Sequence, residues 1–100
     1  MEHILVKFAV NGFTEAEVSD GLQYFRDELA RRPWLTRTAA WWEQEESSLM
    51  AEVVTEGDDP ERGALGVLDE VRDCVTASFN FSSEAIYFNR LEARRVPRGT

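Results

Sequence analysis

Residues 37–56, RTAAWWEQEESSLMAEVVTE, constrain the fold more than any other stretch of this chain, because they read as a β-hairpin with large apolar side chains on both faces. Successive residues of a strand point to opposite sides of a sheet, so Trp41 and Trp42 occupy different faces in any register. A turn over Glu45, Glu46, Ser47 and Ser48 pairs Thr38 with Thr55, Ala40 with Val53, Trp42 with Ala51 and Gln44 with Leu49, a face apolar enough for a core. The opposite face pairs Arg37 with Glu56, Ala39 with Val54, Trp41 with Glu52 and Glu43 with Met50. It interleaves an indole, a methionine and a valine with carboxylates, and it needs a cover.

The flanking segments supply the other elements. Ile4, Val6, Phe8 and Val10 alternate with His3, Leu5, Lys7 and Ala9, which predicts a first strand with its better apolar set toward a core. Asn11 and Gly12 break it. Thr14 with Glu17 three positions on makes a capping box, and Val18, Leu22, Phe25 and Leu29 then repeat with helical spacing. That helix ends near Arg31 or Arg32, since Pro33 disfavours helical geometry in the residue before it. Gly57 stops the third strand, and Asp59 before Pro60 reads as an N-cap with proline in the first helical position. The second helix carries Ala64, Leu68, Val71 and Val75, flanked by Val67 and Cys74, as its apolar stripe. Residues 78–83 form a loop with Phe79 and Phe81, and residues 84–95 a fourth strand.

The order is therefore βαββαβ in a single domain spanning residues 1–100, with its core within about residues 3–95 and a loose tail over residues 96–100. A chain of 100 residues buries only about 60–65% of its unfolded surface and supports one core. Two helices on one face of a four-stranded antiparallel sheet make an α+β sandwich that resembles the ferredoxin-like fold. In that fold the first strand lies centrally, between the third and the fourth.

Composition excludes several partners. With 11 Lys and Arg against 19 Asp and Glu, the formal charge is −8, which opposes the phosphate neutralisation behind nucleic-acid affinity. Nucleic acids and anionic membranes are not expected partners. Cys74 is the only cysteine, so no intrachain disulfide forms, and its place on an apolar helix stripe predicts a buried free thiol in a reducing compartment. No apolar run approaches the roughly 18 residues of a transmembrane span, and Glu2 and His3 before a short ILVKFAV run do not make a secretory signal. A soluble, cytoplasmic protein is expected.

With both helices on one side, the other side carries His3, Leu5, Lys7, Ala9, Trp41, Glu43, Met50, Glu52, Val54, Tyr87, Asn89 and Leu91. Left wet, their apolar members form a patch approaching the few hundred Å² that signals a partner. The economical cover is a second copy packed sheet against sheet. That arrangement resembles the dimeric α+β barrel superfamily, which includes the antibiotic-biosynthesis monooxygenases. The resemblance implies a homodimer and a pocket in each protomer between its helices and the inner face of its sheet.

The candidate ligand or dimer-interface residues are His3, Leu5, Lys7, Trp41, Met50, Glu52, Val54, Tyr87 and Asn89. Trp41 and Trp42 serve as core or interface anchors, or stack on a ligand. His3, at a strand start, reads as a solvated or interface histidine. Glu52 faces Trp41 near Lys7, which suggests an interfacial ion pair or, alternatively, a general base with a raised pKa. Tyr87 and Asn89, two apart on one strand, offer a hydroxyl and an amide to a polar ligand or across an interface. The acidic residues Glu56, Asp58, Asp59 and Glu61 read as helix capping and dipole compensation rather than a metal site, and Glu43, Glu45 and Glu46 as solvated hairpin residues. One histidine and one cysteine do not make a zinc site, so no metal and no cofactor are expected. Arg90, Arg94, Arg95 and Arg98 concentrate positive charge at the C-terminal end, as a solvated tail or an anion contact. No GxGxxG, P-loop, GxSxG, CxxC or HExxH pattern occurs.

Three functions fit these residues: a small-molecule-binding or sensing module, a cofactor-independent monooxygenase- or isomerase-like enzyme of the barrel type, and a subunit that only contacts another protein. An apolar pocket with one or two hydrogen-bonding groups favours the binder. Two titratable side chains converging in an enclosed pocket favour the enzyme, and the lack of a pocket favours the third.

Overall fold

A computed structural model describes residues 2–79 and 86–97. Along the chain come β1 (His3–Asn11), α1 (Glu15–Ala30), β2 (Leu35–Glu43), β3 (Ser48–Glu56), α2 (Pro60–Ser78) and β4 (Tyr87–Val96). The strands form one antiparallel sheet in the order β2-β3-β1-β4, so β1 is central as the ferredoxin-like arrangement requires.

Local signals in the sequence set the element ends. The Thr14 side chain accepts from the Glu17 amide at 3.2 Å while the Glu17 carboxylate accepts from the Thr14 amide at 2.8 Å, a complete capping box that opens α1. Asp59 caps α2 by accepting from the Glu61 amide at 3.0 Å, with Pro60 in the first helical position. Gly12, at φ 113°, lets the chain leave β1 through the left-handed region.

The core lies between helices and sheet. Ile4, Val6, Phe8 and Val10 of β1 meet Val18, Phe25 and Leu29 of α1 and Ala64, Val67, Val71, Cys74 and Val75 of α2, with Leu49, Ala51 and Val53 of β3 beside them. Trp42 packs against this cluster and Trp41 does not, so the helix-facing indole belongs to Trp42. The Trp42 Nε1 is buried with no hydrogen-bond partner among the described residues.

Three details of the sheet differ from the sequence reading. The hairpin turns over residues 44–47, not 45–48, and pairs Glu43 with Ser48, Trp42 with Leu49, Trp41 with Met50, Ala40 with Ala51 and Ala39 with Glu52. Ser47 at φ 48° closes the turn through its amide to the Gln44 carbonyl at 3.3 Å, and the Ser48 hydroxyl donates to the Glu46 carbonyl at 3.0 Å. These local bonds draw Ser48 into the strand. The β1–β4 register shifts between Lys7 and Phe8, leaving Leu91 as an extra residue, so Glu92, Arg94 and Val96 join Tyr87 and Asn89 on the face away from the helices. Val96 is then buried at the end of β4 beside Leu5 and Val54 rather than in a loose tail. Residues 80–85, where part of a loop and the start of the fourth strand were expected, lie outside the described residues.

Candidate functional site on the open sheet face

The pairing places every candidate residue on the face away from the helices. Lys7 lies between Glu52 and Glu92, Leu5 between Val54 and Arg94, Ala9 between Met50 and Asn89, and His3 between Glu56 and Val96. Trp41 is opposite Met50, and Tyr87 is beside Asn11. Glu52 faces Lys7 and Ala39, not Trp41, because the hairpin partners differ from those the sequence suggested.

The face is not a bare apolar patch. Leu5, Ala9, Met50 and Val54 are all buried within the single chain. Their neighbours Lys7, Arg37, Trp41 and Glu52 are longer, and such side chains cover apolar surface with their stems while their polar ends reach water. Among the described residues, the large apolar side chains left exposed on this face belong to β4: Tyr87 at 64% and Leu91 at 53%. The wet apolar area has therefore moved to one edge.

Lys7 does not form the expected ion pair with Glu52 among the described salt bridges. Its Nζ stands 5.6 Å from the centroid of the Trp41 ring, a cation–π contact that ties β1 to β2 across the top of β3. Below it a polar chain crosses three strands. The Asn89 amide donates to Asn11 Oδ1, Asn11 Nδ2 donates to the Ser48 hydroxyl, and Ser48 donates to the Glu46 carbonyl.

Lys7, Met50 and Asn89 meet in a concavity of about 500 Å³ on this face, closed at the hairpin end by the carboxylates of Glu43 and Glu46 and at the β4 edge by Leu91. Leu5, Glu52 and Val54 line a smaller hollow of about 190 Å³ with Arg37 and Ala39. Thus the structure divides the candidates between two adjoining depressions. His3, Trp41 and Tyr87 line neither.

Other charged runs are accounted for locally. Arg90 pairs with Glu61 at 3.0 Å, Arg94 with Glu92 at 3.3 Å, and Arg95 donates to the Asp58 carbonyl at 2.8 Å. The cationic strand is thus bound to the chain's own acids and carbonyls; Arg98 lies outside the described residues. Asp58 accepts from the Glu2 amide and Asp59 caps α2, which fits capping rather than metal binding. Among the described residues no group of three or more His, Cys, Asp and Glu is placed to hold a metal ion. No helix among them is long and apolar enough to cross a membrane.

Cys74 is fully buried, and desolvation pushes its thiol up to about 11. Nearby, Arg32 Nε donates to Glu70 at 2.7 Å and Arg32 Nη1 to the Glu28 carbonyl at 2.6 Å, joining the end of α1 to α2. The hydrogen bond to Glu70 holds the guanidinium pKa above its ordinary value.

A third depression, of about 440 Å³, lies on the helix side, between α2 and the Leu35 and Glu56 ends of β2 and β3, with Trp34 on its wall. Sequence reasoning missed Trp34, Gly63 and Gly66 here, and Asn11 and Ser48 on the open face. A tryptophan directly after proline and outside any periodic run was one available signal. Two glycines three apart inside a helix were another, since each costs about 1 kcal/mol relative to alanine.

Compared with known proteins, the chain matches no family model, no curated protein and no solved structure.

Proposed function

We propose that this protein is a homodimeric small-molecule-binding module whose second copy packs on the open sheet face and roofs the concavity over Lys7, Met50 and Asn89. The observation that carries the reading is the convergence of an ammonium, a thioether and an amide from three different strands on one hollow of about 500 Å³. Pockets for small ligands occupy roughly 300–1,000 Å³ and combine apolar walls with a few fixed polar groups. Asn89 is fixed by Asn11, and Lys7 by the Trp41 ring.

Size supports a second copy as the roof. Four strands about 4.8 Å apart, each about nine residues long at about 3.3 Å per residue, make a face of roughly 570 Å² in plan. Side-chain relief brings that near the roughly 800 Å² per partner of a standard interface. Tyr87 and Leu91, large apolar residues exposed on the face, become the anchors of that contact.

Sedimentation at micromolar concentration is expected to show a species of twice 11.4 kDa. Trp41→Glu, which adds a carboxylate and removes the cation–π contact, is expected to shift it to monomer, since losing an interface aromatic costs about 2 kcal/mol or more. A thermal-shift screen of polar metabolites against wild type and Asn89→Ala then tests the ligand half. An 11.4 kDa species alone rejects the dimer, and hits unchanged in Asn89→Ala reject this concavity as their site.

A further inference from the structure

The helix-side depression shares no lining residue with either hollow of the open face, and its parts point to a different ligand. We infer that this groove binds a small organic cation with an alkylated ammonium head, held against the face of Trp34.

The indole is one reason. Trp34 is 47% exposed, although the backbone around it is pinned: the Leu35 amide donates to the Arg32 carbonyl at 3.0 Å, the Thr55 hydroxyl donates to the Trp34 carbonyl at 3.4 Å, and Leu35 itself is buried. A fixed backbone thus holds an exposed indole on the wall of an open groove.

The floor is another. A Cβ built on Gly66 meets nothing within 4 Å, whereas one on Gly63 reaches Ile4 Cδ1 at 3.0 Å and one on Gly21 reaches the Ser78 carbonyl at 2.5 Å. Close packing explains glycine at 21 and 63. At 66 neither packing nor a positive φ requires it, and glycine is among the worst residues for a helix interior. What its missing side chain provides is a bare stretch of α2 on the wall of the groove that Trp34 also lines.

Charge selects the ligand. Glu56, Asp58, Asp59 and Glu70 line the groove with Arg62; Glu70 is already paired with Arg32 at 2.7 Å, and Arg95 donates to the Asp58 carbonyl, leaving the three other carboxylates against the guanidinium of Arg62. The field favours cations and repels anions. A hard metal ion needs several converging carboxylates, and none so converge among the described residues. An alkylated ammonium suits the remaining surface: its charge is attracted by the ring quadrupole and the carboxylates, while its methyl groups lose little hydration against Leu35, Val67 and the Gly66 backbone.

The test uses the whole chain with choline and its neutral carbon isostere, 3,3-dimethylbutan-1-ol, read by the indole NH resonances, with Trp34→Phe assigning that of Trp34. Choline is expected to shift the Trp34 resonance at millimolar concentration and to bind at least about tenfold more tightly than the alcohol, an advantage that shrinks as salt is raised. Trp34→Ala, followed by calorimetric titration with choline beside wild type, is expected to lose binding. Gly66→Leu is expected to lose binding while raising the melting temperature, because leucine improves the helix as it fills the groove; that pairing of signs separates occlusion from misfolding. Equal affinity for choline and the alcohol overturns the cation assignment. So does a Trp34 resonance unmoved by choline at tens of millimolar, or Gly66→Leu that keeps wild-type affinity.

Discussion

Gly21→Ala tests how closely the two helices meet. A methyl group at this position lands 2.5 Å from the Ser78 carbonyl oxygen and 2.7–2.8 Å from two ring carbons of Phe79, where ordinary contact needs about 3.4 Å or more. The oxygen belongs to backbone at the end of α2, and Phe79 packs on Phe13 and Phe25 at centroid distances of 5.0 and 5.7 Å, so neither neighbour turns aside freely. Alanine gains about 1 kcal/mol of helix propensity over glycine. Overpacking of a well-filled site costs typically about 1–3 kcal/mol, and the backbone clash puts this case at or above the upper end. The net expectation is a loss of about 2 kcal/mol or more, against a gain of about 1 kcal/mol for Gly66→Ala, whose methyl meets open space. Gly63→Ala should fall between, since the atom it meets is the far end of the Ile4 side chain. Urea denaturation of the three variants, with slopes unchanged so that midpoints compare directly, reads the order. A Gly21→Ala variant as stable as Gly66→Ala would refute the interhelical contact.

Trp42→Ala should cost about 3–5 kcal/mol, independent of protein concentration, because this indole packs against the main core. Trp41→Ala should act through the dimer instead, so only its denaturation midpoint should lose concentration dependence. The Cys74 thiol should resist aromatic disulfide reagents in the folded protein and react at the rate of opening, since burial keeps it protonated. Its pKa rises from 9.0 to about 11, so below pH 9 folded and unfolded chains both hold the proton and stability is unaffected. Between pH 9 and 11 the unfolded chain releases a proton that the folded chain retains, and stability should fall by about 1.4 kcal/mol per pH unit, a slope that Cys74→Ala removes in parallel urea titrations.

Periodicity carried the element order, the caps and the composition of the open face, because each rests on interactions between residues close in sequence. The hairpin partners were less legible. The EESS turn holds no glycine or asparagine to fix its geometry, and the bonds that set it involve the Ser48 hydroxyl, which also meets Asn11 on the neighbouring strand. Shifting the turn by one residue changes every partner yet keeps each side chain on its face, which is why Trp42 met the core while Glu52 lost Trp41. The extra residue at Leu91 is a property of how β4 accommodates β1, and it moved Glu92, Arg94 and Val96 to the open side. The shielding of Leu5, Met50 and Val54 was hidden for a similar reason: it depends on how far neighbouring side chains lean, not on their order. The Trp34 groove escaped because the start of β2 meets the end of β3 and α2, which follow it only after the hairpin.

The central place of β1 also governs how the chain is assembled. Its partners, β3 and β4, follow it only after α1 and β2, and after α2 as well in the case of β4. During synthesis Ile4, Val6, Phe8 and Val10 therefore emerge before the strands on either side of them and wait for those to follow. Pairings so far apart in sequence form late and slow folding. Until they close, a nascent chain presents an apolar strand with two open edges, the form most prone to add to another chain. Rapid formation of α1, helped by its capping box, gives that strand an early apolar surface to lie against while the rest of the sheet is made.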